Sequence, residues 1–359
     1  MPLTLIETTE ELVGYLSADW FGGERPVCAI DTEADSLHRY RESLCLVQFA
    51  SGADCLLMDP LKIGDLSALG EYLSRAEVWM HGADYDMTML KRQFGALPPA
   101  VFDTQIGARL LGARRFGLAD LVKMFFDIEL SKSSQKADWG KRPLTPKMVE
   151  YALNDVHYLL PMSRMIIDRL HGKGRYGWFV ESCEAARLKV LERGDDAREE
   201  AWRIQGSGKF DGRTLACLRA LWHWRDQEAQ KWDRPSFMVA TNRQLIDWSM
   251  DLGQRHKVEL PRHFRPDRVK RFRQMEEELD TLPESAWPER IRTTRRKRDR
   301  SFEQKVEEWI KRRDLAAADL DIESSLIVSR AVIEAIAAGE CAPESVMLRW
   351  QRDVFDLRD

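Results

Sequence analysis

The sequence has no apolar run that approaches the ~20 residues of a membrane-spanning helix, which excludes that class of integral membrane protein. No basic stretch followed by an apolar one opens the chain, so no secretory leader is expected and the expected home is the cytoplasm. Cysteine is sparse. The six residues Cys28, Cys45, Cys55, Cys183, Cys217 and Cys341 are scattered, without a Cys-x-x-Cys pair. That spacing argues against a zinc ribbon or a disulfide framework and leaves reduced, buried thiols. A basic excess is missing too. The formal net charge is −4, so any polyanion must be held by local basic patches.

What is there suggests two or three domains in 359 residues, with 32% charged residues that imply exposed helices. A helical pattern runs through Leu12, Val13 and Leu16, followed by strand-like runs over 27–33, 44–50 and 54–58. Their short spacings predict an antiparallel meander. A helix is predicted over 61–73, then a short buried strand over 78–80 and a helix over 83–94 that Gly95 and Pro98-Pro99 end. Asp103 is placed to cap the next helix. A polar loop covers 131–142, after which Thr145 and Pro146 signal a helix that runs to about residue 170. Strands first, then strand–helix alternation, predicts a mixed α/β sheet with helices packed against it. Beyond about Gly172 the pattern is helical to the end, with a linker-like Gln205-Gly-Ser-Gly208 and a second helical unit over 302–355. Between the two helical units lies a basic run over 292–300, which reads equally as a solvated linker or an auxiliary phosphate contact.

The chemistry centres on Val27-Cys-Ala-Ile-Asp-Thr-Glu33. Side chains alternate along a strand, so Asp31 and Glu33 share a face, about 6–7 Å apart at Cα. Two carboxylates on one face of a buried strand repel each other and cost desolvation, which a divalent cation with oxygen preference offsets. More carboxylates follow. His81-Gly-Ala-Asp-Tyr-Asp86 lies where a buried strand gives way to a helix, and either Asp84 or Asp86 suits a site at the strand end. In the helix after Pro146, Tyr151 and Asp155 are i and i+4, on a face shared with Met148, Ala152 and Leu159.

Taken in order, Ile30-Asp-Thr-Glu33, His81-Gly-Ala-Asp-Tyr-Asp86, Phe102-Asp-Thr-Gln105, Lys132 with Asp138-Trp139 and Arg142-Pro-Leu144, and Tyr151-Ala-Leu-Asn-Asp-Val-His-Tyr-Leu159 form a series. It resembles the DEDD 3′→5′ exonuclease superfamily in its tyrosine-bearing branch, the ribonuclease D family. Residues 209–285, with Leu218-Arg-Ala-Leu-Trp-His-Trp-Arg225, resemble an HRDC module, and 300–359 a more diverged copy. The resemblance implies an exonuclease domain over 1–172, a helical linker over 173–208 and the two modules. The fold it implies is a ribonuclease H-like mixed sheet flanked by helices, followed by all-α modules.

The same resemblance selects Asp86 over Asp84 and implies that Asp31, Glu33, Asp86 and Asp155 hold two divalent cations, Mg²⁺ or Mn²⁺, about 3.5–4 Å apart. Tyr151 is then expected to orient the attacking water. Lys132, Lys136 and Arg142 are candidates for holding phosphates. The implied reaction is stepwise removal of nucleoside 5′-monophosphates from single-stranded RNA 3′ ends, in tRNA precursors or other small structured RNAs, by a monomer that needs no membrane. A DNA-directed exonuclease with the same acids, or a non-catalytic nucleic-acid adaptor, are the alternatives.

Overall fold

A computed structural model describes residues 4–19, 25–131, 133–194, 200–290 and 300–355. Lys132 and most of the 292–300 basic run lie outside the described residues. The chain divides into two compact units. One contains Met1–Ala34, Leu44–Glu192 and Arg296–Asp359, the other Asp35–Ser43 and Arg193–Arg295.

The first unit begins with β1 (Thr4–Ile6), α1 (Thr9–Asp19), β2 (Val27–Ala34), β3 (Leu44–Ser51) and β4 (Asp54–Met58). Next come α2 (Ser67–Leu73), β5 (Glu77–Met80), α3 (Asp84–Phe94), β6 (Ala100–Asp103) and α4 (Thr104–Leu110). The helices α5 (Leu118–Phe126), α6 (Pro146–His157), α7 (Leu159–Gly172) and α8 (Tyr176–Glu192) follow. The strands form one mixed sheet in the order β1-β4-β3-β2-β5-β6. The expected meander is there, since β2, β3 and β4 pair antiparallel, while β1 joins β4, β5 joins β2 and β6 joins β5 in parallel.

β3 is buried along its whole length, so the sheet is covered on both faces. One face, with Ile30, Val47, Phe49, Val78 and Met80, packs with Leu12, Leu69 and Met87 from α1, α2 and α3. The opposite face carries Leu46 and Leu57 against Trp139, Met148 and Ala152, so that α6 lies over β2, β3 and β4.

Two predicted helices differ from those observed. The one expected over 61–73 forms only as α2, because Asp59 accepts from the Leu61 N–H (3.1 Å) and Asp65 from the Ser67 N–H (2.8 Å). Such side-chain turns compete with helix for the same backbone donors. The helix expected from 146 to about 170 breaks at Tyr158 into α6 and α7. Pro161 has no N–H to offer the His157 carbonyl, and its ring crowds that turn.

The second unit holds α9 (Gly212–Trp232), α10 (Ser236–Val239), α11 (Asn242–Gly253) and α12 (Pro266–Thr281) around Trp224, Trp248, Phe264 and Phe272. Glu228 is buried there and accepts from Arg268 and Arg271. The chain then returns to the first unit through α13 (Arg300–Asp319), α14 (Ser324–Ile327), α15 (Arg330–Ala337), α16 (Pro343–Val346) and α17 (Arg349–Phe355). These helices share a core with α7 and α8. Trp350 stacks on Trp178 at 4.9 Å, and Glu181 accepts from the backbone N–H groups of Arg349 and Trp350. A long helix, a four-residue helix, an extended residue and a Ser/Thr-capped helix recur in α9–α11 and α13–α15. The extended residues are Ala240 and Val328, and the caps Thr241 and Ser329.

Candidate active site

β2 presents Asp31 and Glu33 on the face covered by α6, as the strand alternation requires. Both are half-buried. α6 starts where predicted, with the Thr145 hydroxyl accepting from the Met148 N–H and Pro146 in the first turn. Its third turn brings Asp155 to β2, and Tyr151 lies one turn earlier on the same face. Ligand oxygens of Asp31, Glu33 and Asp155 lie within 4.8 Å of one another.

Asp86 comes from α3 and is held differently. Its Oδ1 accepts from the Thr32 N–H (2.9 Å) and the Thr32 hydroxyl (2.6 Å), both buried. Thr32 was not singled out from sequence. The usable signal was its place between Asp31 and Glu33, which turns it to the opposite face. Asp84, two residues before Asp86, is exposed in the first turn, whereas Asp86 is buried. Asp103 caps α4 through the Gln105 N–H (2.8 Å), as predicted. It also accepts from the N–H groups of Gly82 (2.9 Å) and Ala83 (3.0 Å), pinning the turn that launches α3. Gly82 has φ +69°, a conformation that glycine adopts without strain.

The acids resist ionisation together. Burial, then the charges of Asp86, Asp155 and Glu33, holds Asp31 well above the usual carboxylate range. Burial and the charges of Asp155 and Asp86 push Glu33 up to about 9. Asp155 is pushed to about 7 by burial, against a hydrogen bond from Tyr151 that pulls it down. Burial takes Asp86 to about 6, against the Thr32 hydrogen bonds. Tyr151 is raised by burial and by the neighbouring carboxylates, so at neutral pH its phenol stays a donor to Asp155. An all-oxygen, carboxylate-rich set with this much opposed charge fits a hard divalent cation, whose own charge reverses the penalty.

The 131–142 loop has a role that sequence did not indicate. Trp139 is buried, with its ring 6.1 Å from that of Tyr151. Arg142 was a candidate for phosphates, and its geometry corrects that. Nε and Nη2 form a bidentate pair with the fully buried Asp59 (2.6 and 2.7 Å), Nη2 also reaches the Cys45 carbonyl, and Nη1 donates to the Trp139 and Lys141 carbonyls. All five N–H directions are used, leaving none for a phosphate. Lys136 is exposed.

Residues 7–171 match the family described as 3'-5' exonuclease, and residues 214–249 the HRDC domain. Ribonuclease D of Escherichia coli (strain K12) is 32% identical over 275 residues, covering 74% of this chain and 72% of that one. Ribonuclease D of Zymomonas mobilis is 29% identical over 356 residues, covering 91% and 86%. The crystal structure of the Escherichia coli RNase D, described as an exoribonuclease involved in structured RNA processing, superposes with a TM-score of 0.77 at 26% identity, covering 99% and 96% of the two chains. The catalytic core of RRP6 from Trypanosoma brucei shares the fold, with a TM-score of 0.62 at 23% identity over 78% of this chain and 81% of that one.

Proposed function

The chain belongs to the ribonuclease D family of 3′→5′ exoribonucleases, and on that premise we propose that it trims the 3′ ends of tRNA precursors or other small structured RNAs, releasing nucleoside 5′-monophosphates. The observation that carries the reading is the trio Asp31, Glu33 and Asp155, with ligand oxygens gathered within 4.8 Å of one another. We assign to these acids and to Asp86 two divalent cations, Mg²⁺ or Mn²⁺. When bound, such ions polarise the phosphodiester and supply hydroxide at neutral pH.

The chain's own residues do the rest. Asp31, Glu33 and Asp155 offer carboxylate oxygens from two elements at right depth for a buried site, and Asp86 adds charge from α3 in a position that Thr32 fixes. Tyr151, protonated at neutral pH and donating to Asp155, orients the attacking water by accepting a hydrogen bond from it rather than by removing a proton. We assign phosphate contacts to Lys136, and to Lys132 outside the described residues. The domain boundaries proposed are 1–172 for the exonuclease, 173–208 for the linker, 209–285 for the HRDC module and 300–359 for its copy. The recurrence of one helix pattern in α9–α11 and α13–α15 supports the last of these. We assign the chain to the cytoplasm, acting as a monomer. Free thiols at all six cysteines suit a reducing compartment, and among the described residues no helix is long and apolar enough to cross a membrane.

The test is a tRNA precursor with a 3′ trailer, offered with Mn²⁺ beside an unstructured RNA and a DNA oligonucleotide of the trailer sequence. Trailer shortening with mononucleotide release, and little DNA loss, is expected. Faster DNA degradation would overturn the RNA assignment. Degradation of unstructured RNA with the precursor left intact would overturn the structured substrate.

A further inference from the structure

Gln48 sits in the middle of β3 with its side chain fully buried, yet neither Nε2 nor Oε1 meets a hydrogen-bond partner. Buried polar side chains nearly always find one, because burial removes hydration that must be replaced. The sheet register explains where this amide points. Gln48 is the direct antiparallel partner of Asp31, and two residues along, Leu46 faces Glu33. Opposed residues in such a ladder project from the same face, with Cβ atoms about 4.5–5.5 Å apart. The one irregularity between these strands falls later, between Glu33 and Ala34. On its other side Gln48 faces Leu57, which packs with Leu46, Trp139 and Ala152. The register thus sets hydrocarbon on one flank of the amide and Asp31, a carboxylate able to accept from it, on the other.

We propose that Gln48 is a positioning residue of the metal centre: its Nε2, unpartnered here, donates to the Asp31 carboxylate once a divalent cation is held there, and so fixes which oxygen that carboxylate turns to the cation. The proposal rests on Asp31, Glu33 and Asp155 being metal ligands. A carboxylate on a cation keeps lone pairs for an outer donor, and such donors orient the ligands they touch. An amide suits the task because it donates without altering the charge of the cluster. A glutamate there would add repulsion, and a lysine would compete with the cation. An amide that burdens the fold and serves the site is the pattern expected where activity and stability conflict.

The test uses full-length Gln48→Met, which keeps the side-chain volume and removes both polar atoms, and Gln48→Glu, which keeps the shape and loses the donor. Three readouts are compared with wild type: melting temperature in chelator, Mn²⁺ affinity by calorimetry, and kcat and KM on a 3′-end RNA substrate. Gln48→Met should melt in chelator at or above the wild-type temperature. Its Mn²⁺ affinity or kcat should fall about 10- to 100-fold, the range for removing a partner of a metal ligand. KM should hold, and Gln48→Glu should lose as much or more. A lower melting temperature with unaltered Mn²⁺ affinity would make Gln48 a part of the core and overturn the proposal, as would no change in any readout. If wild type itself takes up no Mn²⁺, the metal reading falls and this proposal with it. That result is visible before any variant is made.

Discussion

Cation binding to this chain should release protons, in a number set by the acid cluster. Burial with mutual repulsion holds Glu33 at about 9, and Asp155 and Asp86 are raised to about 7 and about 6. At pH 7 those groups are therefore about 99%, about 50% and about 10% protonated. Cations are held by deprotonated carboxylates. Binding should thus expel about one proton from Glu33 and about half of one from Asp155, with Asp31, also raised, adding to the total. Calorimetric titration of Mn²⁺ in buffers of different ionisation enthalpy counts the protons. Release should shrink above pH ~9, and affinity should weaken as pH falls and protons compete. Glu33→Gln should remove about one proton from the count. The same shifts set stability without metal. The folded chain holds protons on these carboxylates that the unfolded chain has lost above its own pKa, near 4. Stability in chelator should therefore fall as pH rises from about 4 to about 9, the reverse of a salt-bridged carboxylate. Added Mn²⁺ should remove that loss. No proton release at pH 7, or the same release from Glu33→Gln, would refute the reasoning.

Further substitutions separate the roles. Asp31→Asn or Asp155→Asn should lower turnover by at least ~10³-fold while raising the melting temperature in chelator, since a carboxyl that resists ionisation in the fold is gone; Asp86→Asn should be far more damaging than Asp84→Asn, and equal losses would undo that assignment. Tyr151→Phe should cost about 10²–10⁴ in kcat with Mn²⁺ affinity kept, so a clear loss of metal binding would give the tyrosine a ligand-supporting role instead. Arg142→Met strips the buried Asp59 of its bidentate partner and should lower unfolding free energy by about 3–5 kcal/mol, read by denaturant titration. RNA affinity at low temperature should be unaffected by that change, and a selective loss of affinity would restore a phosphate role.

Features written in local pattern were legible in the sequence. Strand alternation put Asp31 and Glu33 on one face, helical spacing paired Tyr151 with Asp155, and Asp103 and Thr145 declared themselves as caps. The edge strands β1 and β6, of three and four residues, were not, because so short a run carries no period. Their pairing is supplied by neighbours distant in sequence. Arg142 misled for a similar reason: its partner Asp59 is 83 residues away, and an arginine in a polar loop looks like a free cation until that partner is seen. Thr32 and Gln48 belong to the same class. Each has an ordinary place in a strand, and its meaning comes from what the register sets beside it: Asp86 for one, Asp31 for the other. The core that α17 shares with α8 was invisible too, since Trp178 and Trp350 look like any amphipathic-helix tryptophans.

The most direct test is a time course on one RNA labelled at either end, with Mn²⁺ and with chelator. The 3′ label should appear at once as a nucleoside 5′-monophosphate, while the 5′ label descends through a ladder one nucleotide at a time, and chelator should stop both. Internal fragments in place of the ladder, or undiminished cleavage in chelator, would contradict a metal-dependent 3′→5′ exonuclease centred on Asp31, Glu33 and Asp155.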